Sequence, residues 1–169
     1  MLSNDLLDLA KVLVSAATPT QATLRRAVST AYYATFHLLA EQIAAKLVQP
    51  MAGQWFGRCL EHRRVLSVAK WVKDQMGKPM IAGDYLSMFD ATKPLSPELA
   101  RIGVNLAKLQ GARHRADYDP YMPLQPAEAQ GLVDDANDVF ADWGKIHGTI
   151  EASAFLAALL LGAPRKDQL

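Results

Sequence analysis

SPELARIGVNLAKLQGARHRADYDP, residues 96–120, holds the clearest helix signal in the chain and its densest chemistry. Ser96 is a capping residue, Pro97 suits the first helical position, and Glu98 places an acid in the first turn. Leu99, Ile102, Leu106 and Leu109 recur at three and four residues, the period of one helix face. Asp119-Pro120 stops the helix, because a residue before proline avoids the α region. The spacing predicts a helix from Ser96 to about Asp117. Its last turns carry Arg113, His114 and Arg115, cations that the C-terminal end of a helix dipole favours, with Asp117, Tyr118 and Asp119 close behind. Such a cluster can grip phosphate, move protons, or serve as a knot of salt bridges.

The same period runs outward in both directions. Ser3 can cap a first helix reaching about Ser15, with Leu6, Leu7, Ala10, Leu13 and Val14 on one face. Thr18-Pro19-Thr20 separates it from a second helix, from about Gln21 to Val48. There Leu24, Val28, Ala31, Thr35, Leu38, Ile43 and Leu47 recur at helical spacing. A third is expected from Trp55 to Met76, with Cys59 as a buried structural thiol inside it. Gly77, Pro79, Gly83 and Pro94 then mark a long loop with room for one helical turn. Pro126 opens a last helix, weakened at Gly144 and Gly148, where a kink or break is expected. Strict alternation is absent, so the fold class is all-α.

The chain has 169 residues, about one domain, and half of them are hydrophobic. Its net charge is +1, so any nucleic-acid surface must be a local patch. A single cysteine, Cys59, excludes a disulfide framework within one chain and suits a reducing compartment. No basic segment leads into an apolar run after Met1, so a cytoplasmic location without a signal peptide is expected. The longest apolar run, Ala152 to Ala163, is well short of the roughly 20 residues that span a bilayer, so no membrane partner is expected. The bundle is assigned to residues 1–150, and residues 151–169 to an apolar extension. Phe155, Leu156, Leu159, Leu160 and Leu161 must either complete the core or form a surface for a second copy or another partner.

Three groups of side chains can carry function. Arg26, Thr30, Tyr33 and His37 follow one another at steps of four, three and four, on one narrow helix face. Arg58, His62, Arg63 and Arg64, extended by Lys70 and Lys73, form a basic strip that can contact phosphates or can simply be solvated. The third group is the 113–118 cluster. The four histidines do not pair at metal-ligand spacing and no second cysteine exists, so neither a metal site nor a cofactor is expected.

With the helices placed, three segments resemble small bacterial proteins of the HEPN (higher eukaryotes and prokaryotes nucleotide-binding) family. They are Arg25-Arg26-Ala27-Val28-Ser29-Thr30-Ala31-Tyr32-Tyr33-Ala34-Thr35-Phe36-His37, Trp55-Phe56-Gly57-Arg58-Cys59-Leu60-Glu61-His62, and Arg113-His114-Arg115-Ala116-Asp117-Tyr118-Asp119-Pro120. They occur in the family's order, and the acidic last helix also fits. The resemblance implies an antiparallel four- to five-helix up-and-down bundle, usually a homodimer, and, in catalytic members, a metal-independent RNase. Its signature is an Arg, a polar residue, three residues and a His, from two copies facing one cleft. Arg113 matches the Arg and His114 the polar residue, but Tyr118 stands where the signature has His. Phenols ionise near pH 10 and are poor bases at neutral pH.

The resemblance thus implies an RNA- or nucleotide-binding protein, a variant or degenerate RNase of a toxin or defence system. Arg113, His114, Tyr118 and His62 are its candidate catalytic set, with His114 or His62 supplying the missing imidazole. His114 projects about 100° from Arg113 around a helix. Arg26, Tyr33, His37, Arg58, Arg63, Arg64, Arg115 and Asp117 are candidate binding residues. The alternative is a catalytically silent interaction module, whose apolar C-terminal segment engages a partner such as a nucleotidyltransferase-like antitoxin.

Overall fold

The computed structural model describes residues 1–46, 59–121 and 123–163. Among these are six α-helices and no strand. In order they are α1 (Leu2–Val14), α2 (Gln21–Lys46), α3 (His62–Asp74), α4 (Pro97–Tyr118), α5 (Pro126–Ile146) and α6 (Ile150–Leu161), with a 3-10 turn at Leu86–Met88. One apolar core runs through all six.

The strongest helix signal is realised as read. Ser96 caps α4, its hydroxyl accepting from the Leu99 amide at 3.2 Å. Asp119 leaves the helix in an extended conformation. The 77–95 loop is held down from within: Trp71 donates to the Ala82 carbonyl at 2.8 Å, and Gln75 accepts from the Ala82 amide at 3.0 Å.

Helix α2 packs against α1, α4, α5 and α6. Every residue from Ala27 to Tyr32 is buried. The apolar stripe expected along it understates this, because Ala, Ser and Thr accept burial on the remaining faces. Leu47 and Val48 lie outside the described residues.

Helices α4 and α5 form an antiparallel pair. Arg101, Lys108 and Arg115 on α4 meet Asp142, Asp135 and Glu128 on α5, two turns apart at each step. The innermost acid, Asp142, is only 4% exposed. It accepts from Nε and an Nη of Arg101, each at 2.8 Å, and from Lys145 at 2.9 Å. Where α3 crosses α4, a Cβ added to Gly103 would lie 2.6 Å from Val72 Cγ1, so this close approach requires glycine.

Several expectations are corrected. Ser3 does not cap α1: the helix begins at Leu2, and the Ser3 hydroxyl donates to Glu41 of α2 at 2.5 Å. The third helix starts at His62, after Glu61 in extended backbone, rather than at Trp55. Cys59 precedes it and is exposed, not buried within it. Trp55 to Arg58 lie outside the described residues. The expected kink or break falls between Ile146 and Ile150, at Gly148, while Gly144 stays inside α5, so six helices are described where four to five were expected. Of the two roles open to the apolar extension, Phe155, Leu156 and Leu159 take the first and enter the common core, while Ile150 and Leu161 at the two ends of α6 are exposed.

Two stability outcomes follow. Gly103→Ala is expected to lose about 1–3 kcal/mol by overpacking, more than the roughly 1 kcal/mol that alanine gains over glycine in a helix. Gly131→Ala, with open space around its Cβ, keeps that gain; urea midpoints of the two variants should move in opposite directions. Asp142→Ala should cost about 1.5–3 kcal/mol, the scale of hydrogen bonds to a charged group. The Arg101 hydrogen bonds hold the Asp142 carboxyl below the ordinary carboxylate range, against the opposing effect of burial, with Lys145 helping. Its stabilisation is therefore complete above about pH 4 and is lost as pH falls below it, a loss that Asp142→Ala removes from the melting curve.

Candidate functional site

The end of α4 is anchored before it does any chemistry. Arg25 of α2 donates to the Ala116 carbonyl at 2.9 Å, an acceptor that the helix C-terminus leaves open, and more weakly at 3.4 Å to that of Arg115, which already accepts from the Asp119 amide. This ties the last turn of α4 to the first turns of α2 and sets where Arg113 emerges.

Arg113 lies between two phenol rings. Its guanidinium carbon is 5.3 Å from the Tyr33 ring centre and 5.5 Å from that of Tyr118, within cation–π range. One Nη donates to the Tyr33 hydroxyl at 2.7 Å. Asp117 sits 2.7 Å from Nε, an ion pair by distance in which the N–H is not aimed at the carboxylate. The cation is mostly buried, with a side chain 17% exposed.

Also against Tyr33 is His62, the first residue of α3. Its ring centre is 5.8 Å from Tyr33, 5.5 Å from Tyr32 and 4.3 Å from Phe36. Nδ1 is 2.8 Å from the Tyr32 hydroxyl. Burial, then the charge of Arg113, then His37, lowers the His62 pKa, so the imidazole is neutral at pH 7. Burial also pushes the Tyr32 phenol up, which keeps it protonated. The cluster thus holds one permanent cation and one neutral imidazole around a shared aromatic wall.

Arg26, Thr30, Tyr33 and His37 line one wall of a surface groove of about 440 Å³. The facing wall is Leu2, Leu6, Leu9 and Leu13 of α1, at the same four, three, four spacing. Leu2 and Leu9, with Met1 and Val12, are exposed.

The structure brings together Arg113, His62, Tyr33, Tyr118 and Asp117, with His37 at the edge. It separates the others. His114 is exposed and stacks on Tyr118 at 5.1 Å, away from His62. Arg115 belongs to the α4–α5 ladder through Glu128. Arg64 donates to the Leu160 carbonyl at the end of α6 and lies 3.7 Å from Glu61, while Arg63 is exposed, so the basic strip is divided. Arg58 lies outside the described residues. Sequence reasoning did not single out Tyr32, Phe36 or Arg25, although all three stand in the 25–37 segment. It named Leu6 and Leu13 as part of an apolar face of α1 but not Leu2 and Leu9, which share the groove wall with them. Among the described residues no three His, Cys, Asp or Glu side chains gather as metal ligands, and no helix is long and apolar enough to cross a membrane. No family model, curated protein or solved structure matches the chain.

Removing the Arg113 charge tests whether these groups form one electrostatic unit. In Arg113→Ala, His62 should titrate at higher pH than in the wild type. It should stay below the ordinary value near 6.5, because burial, the larger cause, remains. Histidine-resolved NMR titration measures this, and an unmoved His62 would separate the two. A lowered imidazole also makes stability fall as pH drops below about 6.5, since the unfolded chain then binds the proton more readily.

Proposed function

We propose that this chain is an RNA- or nucleotide-binding protein of HEPN type, which holds a phosphate at the Arg113–His62 cluster and works as a homodimer. In this reading it is a degenerate relative of the metal-independent RNases, in a toxin or defence setting. The observation that carries it is the convergence of Arg113, Tyr33 and His62 from α4, α2 and α3 onto one half-buried spot. Arg113 keeps an Nη with no hydrogen bond among the described residues, and a guanidinium matches phosphate geometry. Tyr118, 64% exposed, and Tyr121, 91% exposed, provide aromatic faces nearby in sequence on which unpaired bases can stack. Binding is favoured over cleavage by Tyr118 at the position where the signature has a histidine. General acid–base help is typically worth 10² to 10⁴ in rate.

A second reading, a silent protein-interaction module, is favoured by the outward leucines of α1. They supply a continuous exposed apolar wall, whereas the middle of α6 is taken up by the core.

Fluorescence anisotropy with a labelled single-stranded RNA tests the first reading. Arg113→Ala should weaken binding at least tenfold, about 1.4 kcal/mol. Arg26→Ala should weaken it less and reduce the salt slope by about 0.7 if one phosphate contact is lost. Arg64→Ala should lower stability and leave affinity alone, because its partner is the Leu160 carbonyl. The RNA should remain intact with or without EDTA. RNA binding that survives Arg113→Ala would dismiss this cluster. No binding together with a helical partner captured by α1 would favour the second reading.

A further inference from the structure

The Tyr32 hydroxyl is wholly buried, and its one hydrogen-bond partner among the described residues is His62 Nδ1. A phenol O–H needs an acceptor. If Nδ1 carried the imidazole proton, both groups would be donors of that single contact, and the phenol hydrogen would be left buried without an acceptor. Such an orphan costs about 1–3 kcal/mol. The other tautomer satisfies both groups: Tyr32 donates, the Nδ1 lone pair accepts, and the proton sits on Nε2.

We infer that Tyr32 is a positioning residue that locks neutral His62 as its Nε2–H tautomer, so that the cluster offers hydrogen-bond donors and no imidazole base. Besides the Arg113 Nε–H, three donor groups are then unspent around the Tyr33 ring. They are the free Nη of Arg113, the Tyr33 hydroxyl hydrogen (its oxygen accepts from Arg113) and His62 Nε2–H, which makes no hydrogen bond with the described residues. The acceptor in contact with the cluster is the Asp117 carboxylate, on the Nε edge of Arg113. A set of donors around a cation suits an oxyanion such as a phosphate monoester. It does not suit removal of a proton from a ribose hydroxyl, for which Nε2 would have to carry its lone pair outward. The nature of the anion rests on the function proposed above; the tautomer does not.

Long-range proton–nitrogen correlation NMR on the full-length, nitrogen-15-labelled protein at neutral pH reads the tautomer directly, with the His62 signals identified by their loss in His62→Gln. The expected pattern is a pyridine-like Nδ1 and a pyrrole-like Nε2. The reverse pattern, or an even mixture, overturns the inference. In Tyr32→Phe the lock is gone, and His62 should move to a mixture of tautomers. Should that variant not fold, the wild-type spectrum alone decides. Titration with inorganic phosphate then reads the donor role. Wild-type His62 Nε2 should shift, and Tyr32→Phe should bind phosphate about twofold more weakly, the cost of drawing the Nε2–H form from an even mixture. Tyr32→Phe that keeps the Nε2–H tautomer would show that something else sets it and overturns the role of Tyr32. An Nε2–H tautomer that phosphate never perturbs upholds the lock and removes the phosphate reading instead.

Discussion

The burial of α2 on every side is the constraint on which the rest of the molecule depends. A helix with one free face can point its polar groups to water; from Ala27 to Tyr32 this one has no such face. Small residues solve most of the problem, since Ala27, Ser29, Thr30 and Ala31 let α1, α4 and α5 approach closely. Tyr32 cannot be solved that way. Its hydroxyl lies in the core and must be given a partner at a specific place, which His62 supplies at the start of α3. The position of α3 is therefore coupled to the interior of α2, and the candidate site forms where that coupling reaches the surface.

Placing a guanidinium against this wall has a cost that the surroundings only partly offset. Arg113 loses most of its water. In return it has one neutral acceptor, two aromatic faces and a carboxylate whose geometry is poor for the N–H nearest it. A purely structural arginine would be expected to spend its donors as Arg101 does, on a buried carboxylate gripped through two N–H groups. The contrast between Arg101 and Arg113, twelve positions apart on one helix, separates a side chain that has found its final partners from one that retains capacity for another. Arg64 and Arg25 fall on the Arg101 side of that division, each consumed by carbonyls at a helix end.

The helices were legible where local rules agree with the fold. The Ser96 cap, the Pro97 start and the Asp119-Pro120 stop act within a few residues, so α4 could be read from sequence. The break between Ile146 and Ile150 was visible in the glycines for the same reason. Ser3 misled because its hydroxyl obeys a residue 38 positions away. Cys59 misled because helical periodicity continues upstream of a start that Glu61 sets in extended backbone. The site was legible as residue types but not as partnerships. Arg113 and Tyr33 stood out from their segments, yet nothing local says that Arg115 pairs with Glu128 or that Arg64 caps α6. Tyr32 was invisible as a functional residue because, beside Tyr33, it reads as one more core aromatic. Its role depends on a single contact across the bundle.

Position 118 brings these strands together. An imidazole at that place could carry a proton, whereas the phenol there lends its ring to Arg113, as Tyr33 also does, and receives His114 on its own flank. Two rings at similar distances restrict where the guanidinium can turn, so less side-chain entropy remains to be lost when an anion binds. His62, the imidazole that does reach the cluster, is neutral and engaged through Nδ1. Neither Tyr118 nor His62 presents an imidazole base at the cation, and both rings add order around it, which is what the proposed anion site requires.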